Sequence, residues 1–198
     1  MAIDPKKIYV ANADQSSTTG ALRRGTVITS SNIPADISAA QTAIASFTSS
    51  GYVTEDGATL TTDVSTTDLL EWNKSAVRRL LDSFTGEVSL TLLQLDEEGA
   101  KQTFGATNVT KVAANSSHGE QLRIAIGAEL QQAQAWALCM KDGNKKVIVL
   151  IPNGQVTSGV EMTFAANDAI KLPITISAND DGTGHSIYIY TDDGVTTA

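Results

Sequence analysis

The amino-acid sequence predicts a mainly β protein: an antiparallel β-sandwich or open barrel with one short flanking α-helix and an extended N-terminal arm. Apolar residues recur at every second position in several runs after residue 86, the pattern of strands that bury one face against a common core. Asp-Gly and Asn-Gly pairs punctuate these runs, and such pairs supply the positive φ that tight hairpins need. Only 18% of the 198 residues are charged while 41% are hydrophobic, so Thr, Ser, Asn, Gln and Gly carry the polarity, as in a strand- and loop-rich chain. A chain of this length buries roughly 70% of its unfolded surface, enough for one substantial core.

Residues 1 to 50 differ from the rest. They are rich in Ala, Ser and Thr, as in Ser16-Ser17-Thr18-Thr19-Gly20 and Ser38-Ala39-Ala40. Ile8-Tyr9-Val10 and Thr26-Val27-Ile28 are candidate strands, but nothing joins them into a longer pattern. The expectation is an extended arm over 1–50, or a loosely ordered terminus, preceding a sandwich domain over 51–198. The segment from Leu69 to Phe84 fits two readings. Leu69, Leu70, Trp72, Val77, Leu80, Leu81 and Phe84 make a helical stripe, whereas a strand from Ser75 to Phe84 leads naturally into Gly86.

Beyond this point the elements are clearer. Val88, Leu90 and Leu92 form one stripe, and Leu122, Ile124 and Ile126 another. Trp136, Leu138 and Met140 share a face, as do Val160, Met162 and Phe164. Ile170, Leu172, Ile174 and Ile176 form the longest stripe, and Ile187 and Ile189 oppose Tyr188 and Tyr190. Val147 to Ile151 is apolar on both faces, which predicts a central strand covered twice. Asp142-Gly143, Asn153-Gly154 and Asp181-Gly182 are the expected turns. Asp96-Glu97-Glu98, with Ala100, Lys101 and Phe104 following, predicts the helix. Its acids favour the positive end of the helix dipole, Gly105 closes it, and Leu93, Leu95 and Phe104 tuck it against the sandwich.

Charge and composition exclude several functions. Fourteen basic against twenty-two acidic residues give a net charge of −8, the wrong sign for displacing counterions from nucleic acid or for a polybasic membrane-surface protein. A single Cys139 excludes an intramolecular disulfide framework and a cysteine zinc site. No secretory leader opens the chain and no apolar run approaches the roughly 20 residues of a membrane helix. A soluble protein made in a cytoplasm is expected.

Catalytic chemistry finds no set of residues. His118 and His185 lie in polar turns away from any G-x-S-x-G context, and Cys139 sits between Leu138 and Met140 as a small packed hydrophobe. Asp180 and Asp181 resemble a calcium loop only superficially, because the twelve-position ligand pattern is missing. Gly-rich phosphate loops are absent, and Arg78-Arg79 and Lys145-Lys146 are too small for a nucleic-acid footprint. The expectation is no enzyme, no metal and no cofactor.

Gly51-Tyr52-Val53-Thr54-Glu55-Asp56-Gly57 opens a more informative region. The Thr-rich stretch Thr59 to Thr67 follows, then Asp68-Leu69-Leu70-Glu71-Trp72, Ala76-Val77-Arg78-Arg79, strands through Phe84 to Leu93, and Thr103-Phe104-Gly105. In this order, roughly from Gly51 to Gly105, the chain resembles the tail tube (major tail) proteins of siphovirus-type tailed bacteriophages, whose tails are long, flexible and non-contractile. The N-terminal segment is longer than in a minimal member. The resemblance implies a virion structural protein that self-assembles into hexameric rings, stacked into a hollow tube that conducts phage DNA into the host cell. It implies the fold shared with the tube protein of type VI secretion systems. As partners it implies further copies of the chain, tape measure protein, and tail terminator and tail tip proteins, with DNA passing unbound and no membrane contact. Its implied location is the virion tail, assembled in the host bacterial cytoplasm. It also implies an inter-ring interface at Tyr52, Glu55, Asp56, Asp63, Asp68 and Trp72, although the acids equally fit a solvated loop. The charge of −8 fits a lumen that repels phosphates and equally fits a subunit kept soluble before assembly. The alternative is a β-sandwich adhesion or carbohydrate-binding module of a phage baseplate or bacterial surface. Tyr188 and Tyr190, paired on an outward face, would be its platform.

Overall fold

Strand β9 (Lys145–Val156) organises the molecule, because it is paired along both edges and covered on both faces. The structure is a computed structural model that describes residues 4, 7–16, 19–127 and 130–196. In chain order the remaining elements are β1 (Asn12–Ala13), β2 (Leu22–Gly25), α1 (Ile37–Ala43), β3 (Thr48–Ser49), β4 (Val53–Leu70) and β5 (Ala76–Leu92). Then come α2 (Glu97–Phe104), β6 (Val109–Val112), β7 (Gln121–Ile124), β8 (Gln134–Asp142), β10 (Leu172–Ala178) and β11 (Tyr188–Asp192). All the ladders are antiparallel. A nine-stranded sheet runs β3-β2-β8-β9-β10-β5-β4, with β1 also on β8 and β11 also on β9, while β6 and β7 pair separately. The mainly β antiparallel class is therefore as expected.

The sheet divides at β9. One edge pairs with β8; the other pairs with β11 opposite Lys146–Leu150 and with β10 opposite Gly154–Val156. β10 and β11 thus follow one another along the same edge, separated by an excursion over residues 179–187. The larger core lies between the layers. Val88, Leu90 and Leu92 from β5 meet Leu172, Ile174 and Ile176 from β10, with Trp136, Ile151 and Val156, and Ala100 and Phe104 of α2 close one end. These are the inward members of the expected stripes. On the opposite face of β8 and β9, Ala137, Cys139, Ile148 and Leu150 pack against Ala40 and Ile44, with Tyr188 and Tyr190 alongside. β9 is the central, doubly covered strand that its apolar run predicts.

Helix α2 forms where its caps stand. The Asp96 carboxylate accepts from the Gly99 N–H at 2.7 Å, Gly105 at φ 94° ends the helix, and Lys101 Nζ reaches Glu97 Oε1 at 2.7 Å one turn back. Phe104 is buried as expected, whereas Leu93 and Leu95 remain exposed. A second helix, α1, departs from the single-helix expectation. Asp36 caps it by accepting from Ala39 N–H at 2.8 Å, and Ile37, Ala40 and Ile44 present one apolar side to β8 and β9. Seven residues are too few for a helical period to stand out among Ser and Ala.

The described part of residues 1–50 is more than an extended arm. β2 pairs with both β3 and β8, and Ala21, Leu22, Ala40 and Ile44 are all buried. Residues 1–3, 5, 6, 17 and 18 of the expected arm lie outside the described residues.

Three further expectations are corrected. Asn153-Gly154 is no turn: both residues lie inside β9, where the irregular pairing between Gln134 and Trp136 occurs. A Cβ on Gly154 would come within 2.8 Å of Ile151 and Trp136 and 2.9 Å of Ile176, so the glycine makes room for the indole, whose N–H donates to Gly154 O at 3.2 Å. Val160, Met162 and Phe164 belong to no strand; the first two pack against the larger core and Phe164 stays exposed. Tyr188 and Tyr190 point toward α1 rather than outward. Their rings stack at 6.4 Å, and Tyr190 Oη donates to Pro34 O at 2.9 Å. Asp142-Gly143 does form the β8–β9 hairpin turn, with Gly143 at φ 62°.

Candidate assembly surface

The segment left open between helix and strand is the distal half of a β-hairpin. β4 and β5 pair from the sandwich out to Leu70 and Ala76, and residues 71–75 make the tip. β10 stops pairing with β5 at Gly86, so from Thr62 to Leu70 the hairpin is a free two-stranded ribbon. At about 3.3 Å per residue it projects roughly 25–30 Å. The tip is closed by Lys74 N–H donating to Glu71 O and Glu71 N–H donating to Ser75 O, both at 2.9 Å, with Lys74 in the left-handed region at φ 65°.

The two faces of the ribbon differ. Leu60 and Val64 of β4 stand opposite Val88 and Phe84 of β5, so all four share the face that becomes the core nearer the root. Strict alternation would next place Asp82 there. Instead, the register shifts between Ser65–Ser83 and Thr66–Leu81, leaving Asp82 as an extra residue and putting Leu81 on the apolar face. The opposite face carries Thr59, Thr61, Asp63, Ser65 and Thr67, with Leu80 across from Thr67 and Leu69 nearer the tip. Thr67 Oγ1 donates to the displaced Asp82 at 2.6 Å.

The apolar face overhangs an open groove of about 970 Å³. Leu60, Val64, Leu81 and Phe84 form one wall, and Ile187 and Ile189 of the excursion and β11 stand across from them. Leu81 is 67%, Ile189 57% and Phe84 46% exposed, an unusual amount of apolar surface for one cleft. Glu87 and Asp180 supply its acidic lining, and no Lys or Arg lines it. The excursion itself is held by Asp180 and Asp181. Asp180 Oδ1 accepts from Gly182 and Gly184 N–H, and Asp181 accepts from the Thr183 hydroxyl at 2.7 Å and Tyr188 Oη at 2.5 Å. Those bonds, the one from Thr183 foremost, hold the Asp181 carboxyl down at about 2.

The six residues expected to form an interface do not make one cluster. Tyr52 lies just before β4, and its carbonyl accepts from Leu93 N–H at 2.9 Å. Glu55 and Asp56 occupy the register shift between Val53 and Ala58, near β1 and Met140. Asp63 is on the Thr-rich face, Asp68 faces Arg79 further out, and Trp72 is at the tip and 100% exposed. Asp68 accepts from Arg79 Nε at 2.8 Å and Nη2 at 3.2 Å, which raises the guanidinium pKa. Between Val53 and Leu70 the strand runs roughly 55 Å. Leu60, Val64, Leu81, Phe84, Ile187 and Ile189 escape a reading from spacing, because the register shift breaks the alternation and the two walls are over a hundred residues apart in the chain.

The residues with chemical potential lie elsewhere and are occupied structurally. Burial pushes the Cys139 thiol up to about 11, leaving no thiolate at neutral pH. His118 is tied into its own turn by Asn115 and Gly119, and His185 faces the Thr183 hydroxyl at 3.1 Å. No group of three or more metal-ligating side chains occurs among the described residues.

A projecting ribbon with one uncovered apolar face belongs to a protein completed by other molecules, and comparison with known families says which. The family described as phage tail tube protein matches residues 7–198. The chain belongs to the phage tail tube protein family. It is accordingly a structural component of a phage tail, and tail tube membership implies self-assembly into a tube. No curated protein matches it. No helix among the described residues is long and apolar enough to cross a membrane.

Proposed function

We propose that this tail tube protein forms hexameric rings that stack into the hollow tail of a siphovirus-type phage and conduct its DNA into the host. The observation that carries the proposal is the β4–β5 ribbon. A two-stranded hairpin is marginal by itself in water. This one leaves Leu81, Phe84, Val64 and Leu60 uncovered and the whole outer edge of an 18-residue strand unpaired among the described residues. Such edges are liabilities in a monomer and assembly surfaces in a polymer. Tyr52, Glu55, Asp56, Asp63, Asp68 and Trp72 span the ribbon from root to tip, and contact between rings is proposed along that length. The net charge of −8 suits a conduit that phosphates slide past. The role is mechanical, without catalysis or cofactor, and assembly takes place in the host bacterial cytoplasm with tape measure, terminator and tip proteins as neighbours.

Electron microscopy of the purified protein over a range of concentrations tests this. Rings or hollow tubes with sixfold end views are expected. Protein that stays monomeric at high concentration, also with tail components present, contradicts the proposal.

A further inference from the structure

The tip of the hairpin offers an exposed indole with basic residues near it, and the groove at its root offers an apolar cleft with two acids in its lining. Trp72 is wholly exposed, with Leu70 half exposed beside it. The groove is open, apolar and of about 970 Å³, room for several side chains. Lys74 and the acidic Glu71 share the tip with Trp72, and Arg78 lies on β5 opposite Leu69; neither Lys74 nor Arg78 has an ion-pair partner among the described residues. The groove presents Glu87 and Asp180, with His185 beside them and no Lys or Arg. A protomer is unable to fill its own groove, because its tip stands roughly 25–30 Å along the ribbon. Only a different molecule can bring the two together.

We propose that Trp72 at the hairpin tip of one copy seats in the groove formed by Leu60, Val64, Phe84 and Ile189 of a second copy, with Lys74 and Arg78 meeting Glu87 and Asp180. This rests on the tube-forming reading and adds the identity of the two docking surfaces. The contact is heterologous: each subunit offers a tip and a groove that differ, so it repeats from copy to copy without closing between two. An exposed aromatic entering an apolar cleft with charged residues at the margin is the usual anatomy of an energetic anchor.

Two measurements on the full chain test it. Trp136 is buried in the subunit while Trp72 is fully exposed, so the acrylamide-quenchable fluorescence of dispersed wild-type protein is that of Trp72. Assembly is expected to shift this emission to the blue and lower its quenching several-fold. Separately, Asn73→Cys beside the indole and Asn179→Cys in the groove lining, which keep Trp72 and the apolar walls, are combined and the assembled protein is treated with a short bismaleimide, Cys139 being shielded by burial. A ladder of cross-linked copies is expected for the pair and not for either single variant. Assembled tubes in which Trp72 remains quenchable overturn the docking and leave the tube standing. Protection of Trp72 without a ladder also overturns it, since some other surface then covers the indole. Failure of the wild type to assemble at all removes the tube reading and this inference with it.

Discussion

Leu81→Ser separates folding from assembly, because Leu81 is 67% exposed in the subunit. Full burial of a leucine is worth about 1.5–3 kcal/mol. The third already covered costs the folded monomer about 0.5–1 kcal/mol when removed. In a chain of this size that lowers Tm by about 1–4 °C. The remaining two thirds, about 1–2 kcal/mol, is available only when another copy covers the ribbon. Lost at one contact per subunit, it weakens association about five- to thirty-fold. Ile176→Ala is the counterpart: Ile176 of β10 is fully buried in the larger core, and its truncation costs about 2–5 kcal/mol of folding. That corresponds to a fall in Tm of about 4–20 °C, with no direct effect on the ribbon. Calorimetry of the dispersed proteins and the critical concentration for pelleting give the two axes. A Leu81→Ser protein that loses as much Tm as Ile176→Ala, or assembles at the wild-type concentration, refutes the assignment of this face to assembly.

Further outcomes follow from the same packing. Gly154→Ala, ordinarily neutral or favourable in a strand, is expected to destabilise by about 1–3 kcal/mol, since the new Cβ meets Ile151, Trp136 and Ile176 at 2.8–2.9 Å; urea midpoints decide the sign. Removal of residues 1–19 takes away no residue that is buried among the described ones, whereas removal of 1–50 deletes Leu22, Ala40 and Ile44 and is expected to abolish cooperative unfolding monitored by circular dichroism. The Asp181 carboxyl is held at about 2, below the unfolded value of about 3.9. Its contribution is therefore present above about pH 4 and fades as pH falls toward 2. Thermal melts of Asp181→Asn are expected to show less loss of stability than wild type between pH 5 and 2, and parallel curves count against the bonds from Thr183 and Tyr188.

Much of the architecture was legible because its signals are local. Val88, Leu90 and Leu92 alternate over five residues, and Leu172, Ile174 and Ile176 do the same, so the direction of burial is written in consecutive positions. Asp96 and Gly105 mark both ends of α2 within the chain itself. The order of motifs from Gly51 to Gly105 pointed to the tail tube family over a stretch that the family match extends to residues 7–198. Tertiary structure decided what local signals leave degenerate. Asn153-Gly154 has turn chemistry, yet the bulk of Trp136 requires a missing side chain there, and the pair stays in a strand. Tyr188 and Tyr190 alternate with isoleucines, and alternation says only that two faces differ; α1, from 150 residues away, makes the tyrosine face the inner one. The proposed assembly surface depends on a one-residue register shift at Asp82, which moves Leu81 onto the face of Phe84, and on a loop that carries Ile187 opposite. A period-two pattern loses phase at such a shift and has no reach across the chain, whereas pairing in three dimensions restores both.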